Sequence, residues 1–229
     1  LFEAPHATAR FKVEAEAKAA MAHVEGAASA RVASVEKKRR KVPAPVPFNT
    51  TSLMAAASAE GISPARCMRI AESLYMDGYI SYPRVDNTVY PDSLDLAEVV
   101  NAIAANPAYG PYCKQLLSAG PLSATRGKTE TTDHPPIYPT AAATPDDLSA
   151  ADYKLYNLIA RRFLATLSGP ATVEGTKVTL DVAGEPFVAK GDVLAEPGFR
   201  AIYPYGLKKD EPLPALSEGS TIAFTGATC

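Results

Sequence analysis

Tyr82, Arg84 and Asp86 occupy every second position of the stretch Gly78-Tyr79-Ile80-Ser81-Tyr82-Pro83-Arg84-Val85-Asp86-Asn87-Thr88. In extended backbone, residues two apart face the same side. Pro83 biases the preceding Tyr82 toward extended geometry and away from helix. A phenol, a guanidinium and a carboxylate then share one side, which suits phosphoryl chemistry. Tyrosine can attack phosphorus covalently. A free phenol titrates at about 10, so as a nucleophile it needs help from a neighbouring charge or base. Arginine stays charged and grips phosphate oxygens with a planar fork of N–H donors. Taken alone, these residues favour a plainer account, a tyrosine at a strand end beside an ordinary Arg–Asp pair.

The surrounding segments must place that stretch. Residues 48–168 carry mainly helical patterning. Thr50 or Thr51 is expected to cap a short helix running to Ala59, and Gly61-Ile62 to form a tight turn. Ser63 with Pro64 opens a second helix, a common start. Cys67, Ile70, Ala71 and Leu74 form its apolar stripe, and Gly78 ends it. Two helices across a glycine turn, followed by a strand, have the outline of a helix-turn-helix with a wing. An αα-corner packed for stability is the commoner arrangement. A helix is expected from Asp92-Ser93 to about Ala105, buried through Leu96, Val99, Val100 and Ile103, and a shorter one over Tyr112–Ser118. Residues 121–143 lack periodicity and read as an exposed loop carrying Thr129, Thr131, Thr132, Asp133 and His134. Thr144-Pro145 and Ser149-Ala150-Ala151-Asp152 are successive helix starts. The helix to about Ser168 turns Tyr156, Ile159, Phe163 and Leu167 inward and Arg161-Arg162 to its polar side.

The flanks read differently. Lys12 to about His23 favours helix, with Gly26 as a stop, and Arg31–Glu36 alternates as a half-buried strand. Lys37, Lys38, Arg39, Arg40 and Lys41 follow, the chain's one dense basic run. Such a run is commonly a solvated strand end; the alternative is an edge that contacts phosphates. Pro43, Pro45 and Pro47 stiffen a linker. Gly169-Pro170 breaks the last helix, and the period then changes to two. Val178, Leu180 and Val182 alternate with polar residues, Ala183–Pro186 reads as a hairpin turn, and Phe187–Val193 as the return strand. Glu196-Pro197-Gly198 is a further turn, with strands expected at Ile202-Tyr203 and Ile222–Phe224. The pattern predicts an α+β chain: residues 46–168 as a multihelical, tyrosine-bearing domain inserted into a discontinuous β-rich domain of residues 1–45 and 169–229.

The chain has 229 residues and a formal net charge of −2, so no global basic field announces nucleic acid, and a DNA reading must rest on local features. No apolar run is long enough to span a membrane, and no leader pattern opens the sequence. Cys67, Cys113 and Cys229 are widely spaced without a Cys-x-x-Cys pair, which points to buried thiols in a reducing compartment rather than a zinc site.

Three blocks occur in order: Pro47-Phe48-Asn49-Thr50-Thr51-Ser52-Leu53, then Ala71 through Asn87, then Asp133-His134-Pro135-Pro136-Ile137-Tyr138-Pro139-Thr140. Together they resemble the type IA DNA topoisomerases, most strongly from Pro47 to Thr140. The resemblance implies that Tyr82, in the family's Tyr-x-Arg-Thr-Asp motif, cuts one DNA strand and holds the 5′ phosphate. It places the family arginine at Arg84, the aspartate at Asp86 and the histidine at His134. Val85 stands where the family has threonine, so no hydroxyl is available there. It also implies a helical tyrosine domain carried by a β-rich arch that opens as a gate, and a cytoplasmic, nucleoid-associated enzyme acting chiefly on single-stranded DNA.

The family's magnesium is held by an acidic Asp-x-Asp domain. No such pair occurs here; Asp92, Asp95 and Asp146-Asp147 are read as helix starts, which attract acids for dipole reasons. Magnesium is therefore expected in the complete enzyme, with ligands outside this chain. Both ends read as cut, the partners include the remaining topoisomerase domains, and the isolated piece is expected to be inactive. Two other classes compete with this reading. One is a non-enzymatic, winged-helix-like DNA-binding module, weakened because its second helix offers only Arg66 and Arg69 against Glu72 and Asp77. The other is an interaction domain that merely contains the pattern.

Overall fold

A computed structural model describes residues 1–206 and 209–228. Cys229, one of the three thiols expected to be buried, lies outside the described residues. Among the described residues, six α-helices and a four-stranded sheet make a mixed α and β structure. The chain divides into two compact units.

The first unit gathers Leu1–Lys41, Thr172–Glu196 and Lys208–Cys229. It holds α1 (Glu14–Val24), β1 (Ser29–Val42), β2 (Ala171–Val182), β3 (Glu185–Glu196) and β4 (Thr221–Ala223), with sheet order β3-β2-β1-β4. Ala183 (φ 52°) and Gly184 (φ 89°) form a two-residue turn between β2 and β3. Positive φ at both central positions matches the strands' right-handed twist. Val24, Ala30, Val32, Val178, Leu180, Val182 and Ala189 form this unit's core.

β1 is longer than the alternation alone implied. The basic run lies within the strand, where cross-strand carboxylates neutralise much of it. Lys37 and Arg39 pair with Glu174, and Arg40 pairs with Asp192 at 2.5 Å. Among the described residues, Lys38 and Lys41 make no ion pair. At the other end of this unit His6 Nε2 meets Glu185 Oε2 at 3.1 Å, and His23 Nδ1 meets Glu185 Oε1 at 2.6 Å.

The second unit gathers Val42–Ala171 and Pro197–Leu207. It holds α2 (Thr50–Ala59), α3 (Pro64–Met76), α4 (Leu96–Ile103), α5 (Gly110–Ser118) and α6 (Ala150–Thr166). α6 is the centre of the unit. Leu155, Tyr156, Leu158, Ile159, Ala160, Phe163 and Leu164 are all buried, so most of the helix surface is covered, with Lys154 left exposed. Each large apolar side chain buried in this way contributes about 1.5–3 kcal/mol relative to exposure. The expected stripe of α3 is borne out: Cys67, Ile70, Ala71 and Leu74 are its buried residues. The cap of α2 is Asn49 rather than a threonine. Its side chain accepts from the Ser52 N–H at 2.9 Å, which leaves the Thr50 hydroxyl free for another task.

Some expectations change. α4 begins after Asp95, whose carboxylate accepts from the N–H groups of Ala97 and Glu98. Thr144–Asp147 closes as a turn, with Asp147 accepting from the Thr144 N–H at 2.7 Å, and not as a helix. Ile202 and Tyr203 form no strand; they follow a 3-10 helix over Gly198–Ala201 and lie buried in the helical unit. Residues 197–207 thus group with the helices instead of the sheet.

Arg161 and Arg162 hold that return segment and do not line a polar face. Arg161 donates to the Ile202 carbonyl at 2.9 Å, and Arg162 donates to the Tyr203 hydroxyl at 3.2 Å while lying 4.4 Å over the Phe48 ring. The segment also closes on the end of α6. The Phe199 N–H donates to the Gly169 carbonyl at 2.9 Å, and a Cβ on Gly198 (φ +49°) would meet the Pro170 carbonyl oxygen at 2.2 Å.

Candidate active site

Three separated stretches of the helical unit converge at Tyr82. α3 ends at Gly78 (φ +81°), where the Tyr79 N–H bonds the Leu74 carbonyl at 2.8 Å and the Gly78 N–H bonds the Tyr75 carbonyl at 3.0 Å. These two bonds complete the helix end and turn the chain sharply. The chain then runs beside residues 136–140. The Ser81 N–H donates to the Tyr138 carbonyl at 2.9 Å, and the Ser81 hydroxyl accepts from the Tyr138 N–H at 3.0 Å. The Ile137 N–H donates to the Phe48 carbonyl at 2.8 Å, which ties in the third stretch.

Beyond Ser81 the burial alternates. Ser81, Pro83, Val85 and Asn87 face inward, while Arg84 and Asp86 are exposed and Tyr82 is half-buried. The expected outward row of Tyr82, Arg84 and Asp86 is therefore present. Val85, at 4% exposure, has its side chain in the core. Its backbone is clasped by Thr50. That hydroxyl accepts from the Val85 N–H at 2.8 Å and lies 2.7 Å from the Pro83 carbonyl and 3.0 Å from that of Val85, to which it can donate in turn.

The ring of Tyr82 sits between two others. The centroid of His134 is 4.8 Å away and that of Tyr75 5.3 Å away, the latter edge to face. Among the described residues nothing hydrogen-bonds the Tyr82 hydroxyl, so its oxygen is open to an incoming group. Arg84 does not pair with Asp86. Its Nε donates to Glu72 Oε1 at 2.9 Å and its Nη2 reaches the same oxygen. A guanidinium has five N–H donors; two are engaged by Glu72 and three remain for a phosphate.

The loop carrying His134 is pinned and not loose. The Asn87 amide, buried to 3% exposure, donates to the carbonyls of Thr131 at 2.9 Å and His134 at 3.0 Å. Thr88 and Thr129 exchange further bonds, and the Gly127 N–H reaches the Thr88 carbonyl at 2.9 Å. Asp133 is held below the usual carboxylate range by the Thr131 hydroxyl at 2.5 Å and by the His134 N–H.

Lys37, Lys38, Arg39, Arg40 and Lys41 belong to β1 of the other unit and are a separate group. Cys67 and Cys113 are buried, and burial pushes both thiols up to about 11, which leaves them inert as nucleophiles. A cleft of about 390 Å³ between Tyr90–Ala97 and Leu122–Arg126 is lined by neither Tyr82 nor Arg84.

The sequence profile described as DNA topoisomerase matches residues 2–229. This chain belongs to the DNA topoisomerase family.

A DNA topoisomerase 1 of Archaeoglobus fulgidus is 43% identical over 194 residues, which are 85% of this chain and 29% of that protein. A DNA topoisomerase 3-beta of Arabidopsis thaliana is 37% identical over 195 residues, 85% of this chain and 22% of that protein. The solved full-length topoisomerase I of Thermotoga maritima superposes with a TM-score of 0.68 at 22% identity, covering 96% of this chain and 36% of that one, a likeness of fold. The chain thus spans less than a third of these two sequence relatives, and the type IA reading of its three blocks holds for the piece in hand. Membership favours the topoisomerase reading over the winged-helix-like module. The sequence reading singled out Tyr82, Arg84, Asp86 and His134; it took Thr50 for a possible helix cap and gave no site role to Glu72, Asn87 or Tyr75. These last four stand inside or beside the quoted blocks, and their partners are set only by the folded chain.

Proposed function

We propose that the complete enzyme cuts one DNA strand and reseals it through Tyr82. The Tyr82 oxygen bonds to the phosphorus of a phosphodiester while the bond from phosphorus to the neighbouring O3′ breaks. The phenol loses its proton, and O3′ leaves and gains one. The 5′ phosphate remains as a tyrosyl ester. One ester replaces another, so cutting needs no ATP and reversal restores the strand. The observation that carries this reading is that Tyr82 shares an outward row with Arg84 and packs its ring against His134, in a topoisomerase chain. Arg84, with three donors free, stabilises charge on the phosphate. His134 contacts phosphate or assists proton movement, and Asp86 lies beside the DNA path.

Further parts of the reading rest on family membership. The substrate is chiefly single-stranded DNA, the enzyme acts at the nucleoid, and the helical unit is an insertion carried by a β-rich gate arch. Lys37–Lys41 contact DNA phosphates, foremost Lys38 and Lys41, whose charges no carboxylate neutralises among the described residues. For magnesium, the described residues offer no group of three or more His, Cys, Asp or Glu side chains placed as ligands. They do not fit a metal site of their own, and no step above runs through one. Among the described residues no helix is long and apolar enough to cross a membrane.

Single-turnover cleavage of a labelled strand by the complete enzyme tests the assignment. Tyr82→Phe should form no covalent adduct while still binding DNA. Arg84→Ala should slow cleavage by roughly 10²–10³-fold, and Arg84→Lys by less, since it keeps the charge but loses the fork. An adduct formed by Tyr82→Phe would overturn the choice of nucleophile.

A further inference from the structure

We propose that Tyr75 is a stacking subsite for a nucleobase, the one flanking the phosphate engaged at Tyr82. The inference rests on the reading of Tyr82 as the DNA-cutting residue and adds the site that receives the adjoining base. Among the described residues of this unit, Tyr75 and Met76 are the only large apolar side chains left exposed, at 41% and 79%. Both lie in the last turn of α3, and the Tyr75 ring stands 5.3 Å from that of Tyr82. Among the described residues the Tyr75 hydroxyl has no hydrogen-bond partner and the ring's one aromatic neighbour is Tyr82. Neither the ring's exposed surface nor its hydroxyl is engaged by the fold.

Electrostatics separates what binds on either side of Tyr82. The Tyr75 side carries the carbonyl end of α3 and the carboxylate of its C-cap, Asp77, whereas the carboxylate of Glu72 is already neutralised by Arg84. A helix C-terminus and the Asp77 carboxylate repel phosphate. An uncharged base is accepted there, and the exposed ring of Tyr75 offers it a stacking surface. The Arg84 guanidinium and the His134 ring supply the polar partners for the phosphate. The strand is thus sorted, with its backbone toward Arg84 and His134 and one base toward Tyr75. Stacking of this kind tolerates any base, because every base has a π face. It also requires a base free of its own helical stack, so the site selects an unpaired strand.

The competing account is that Tyr75 only props the Tyr82 ring. Equilibrium binding of the complete enzyme to short single-stranded oligonucleotides separates the two. Binding is read in the Tyr82→Phe background, so that it does not depend on whether Tyr82 is the nucleophile. Three oligonucleotides are used: one intact, and one with an abasic position on each side of the cleavage phosphate. Tyr75→Ala should weaken binding of the intact strand by roughly 5- to 150-fold, while Tyr75→Phe and Tyr75→Trp keep it. One of the two abasic strands should bind the Tyr75-bearing protein more weakly by the same factor and show no further loss with Tyr75→Ala. Equal losses on all three strands, or no loss on the intact one, would overturn the proposal. Failure of the cleavage reading would show separately, as an adduct formed without Tyr82.

Discussion

The hydroxyl of Thr50 is a small group with a large share in shaping the site. It meets three backbone groups of residues 83–85 and so fixes the path on which Arg84 leaves Tyr82. Thr50→Val keeps the side-chain volume but strands the Val85 N–H in a partly buried place. The expected cost is about 1–3 kcal/mol in urea unfolding, with slower adduct formation by the complete enzyme and recovery in Thr50→Ser. Unchanged stability and rate in Thr50→Val would refute that role. At this scale the sequence was legible where the cause is local. The alternation of Tyr82, Arg84 and Asp86 follows from extended backbone after a proline. It was not legible where a partner comes from another element. Asp86 lies closer to Arg84 in the chain than Glu72 does, yet Glu72 on α3 holds the guanidinium because the turn at Gly78 folds the strand back past that helix.

Among the elements, the hairpin β2–β3 carries a second titrating group. The two oxygens of Glu185 face His23 and His6, which hold its carboxyl below the ordinary carboxylate range. His6 Nδ1 accepts from the Thr8 N–H at 3.0 Å, so its proton sits on Nε2, toward Glu185. A carboxyl with a lowered folded-state pKa adds stability above its unfolded value of about 4.3. That contribution is lost as pH falls through the lower folded value. The thermal midpoint of the wild type should therefore exceed that of Glu185→Gln near neutrality, and the gap should close in acid below about pH 4. A gap independent of pH would contradict the prediction.

The turn of this hairpin was readable from Ala183-Gly184, and the stripe of α3 from its spacing. The fate of Ile202-Tyr203 was not, since two apolar residues carry no period. Arg161 and Arg162 also defeated the pattern, because a guanidinium can lie flat on an aromatic ring and reach a carbonyl beyond it. The partners of the basic run were hidden for a similar reason: Glu174 and Asp192 lie more than a hundred residues further along.

Across the whole molecule, the chain passes from one unit to the other four times, at 41–42, 171–172, 196–197 and 207–208. Neither unit is a continuous stretch of sequence. A piece ending at residue 171 would lack the buried Phe199, Ile202 and Tyr203 and the acceptors of Arg161 and Arg162. It should be less stable than a piece spanning 42–207 by more than about 3 kcal/mol, from the apolar area alone. In the longer piece, residues 172–196 replaced by a few glycines and serines should leave a cooperative helical melt. Loss of that melt, or equal stability of the two pieces, would count against this account.

The bond from Phe199 to the Gly169 carbonyl, with Gly198 pressed on Pro170, has a wider meaning for such a chain. It works as a clasp at the neck of residues 172–196. Whatever lies beyond the clasp can lengthen, shorten or be exchanged without reopening the body that holds Tyr82. Variation in that limb among relatives should then be bounded by a fixed glycine at the neck, and a grafted limb should need only two ends that fit the clasp.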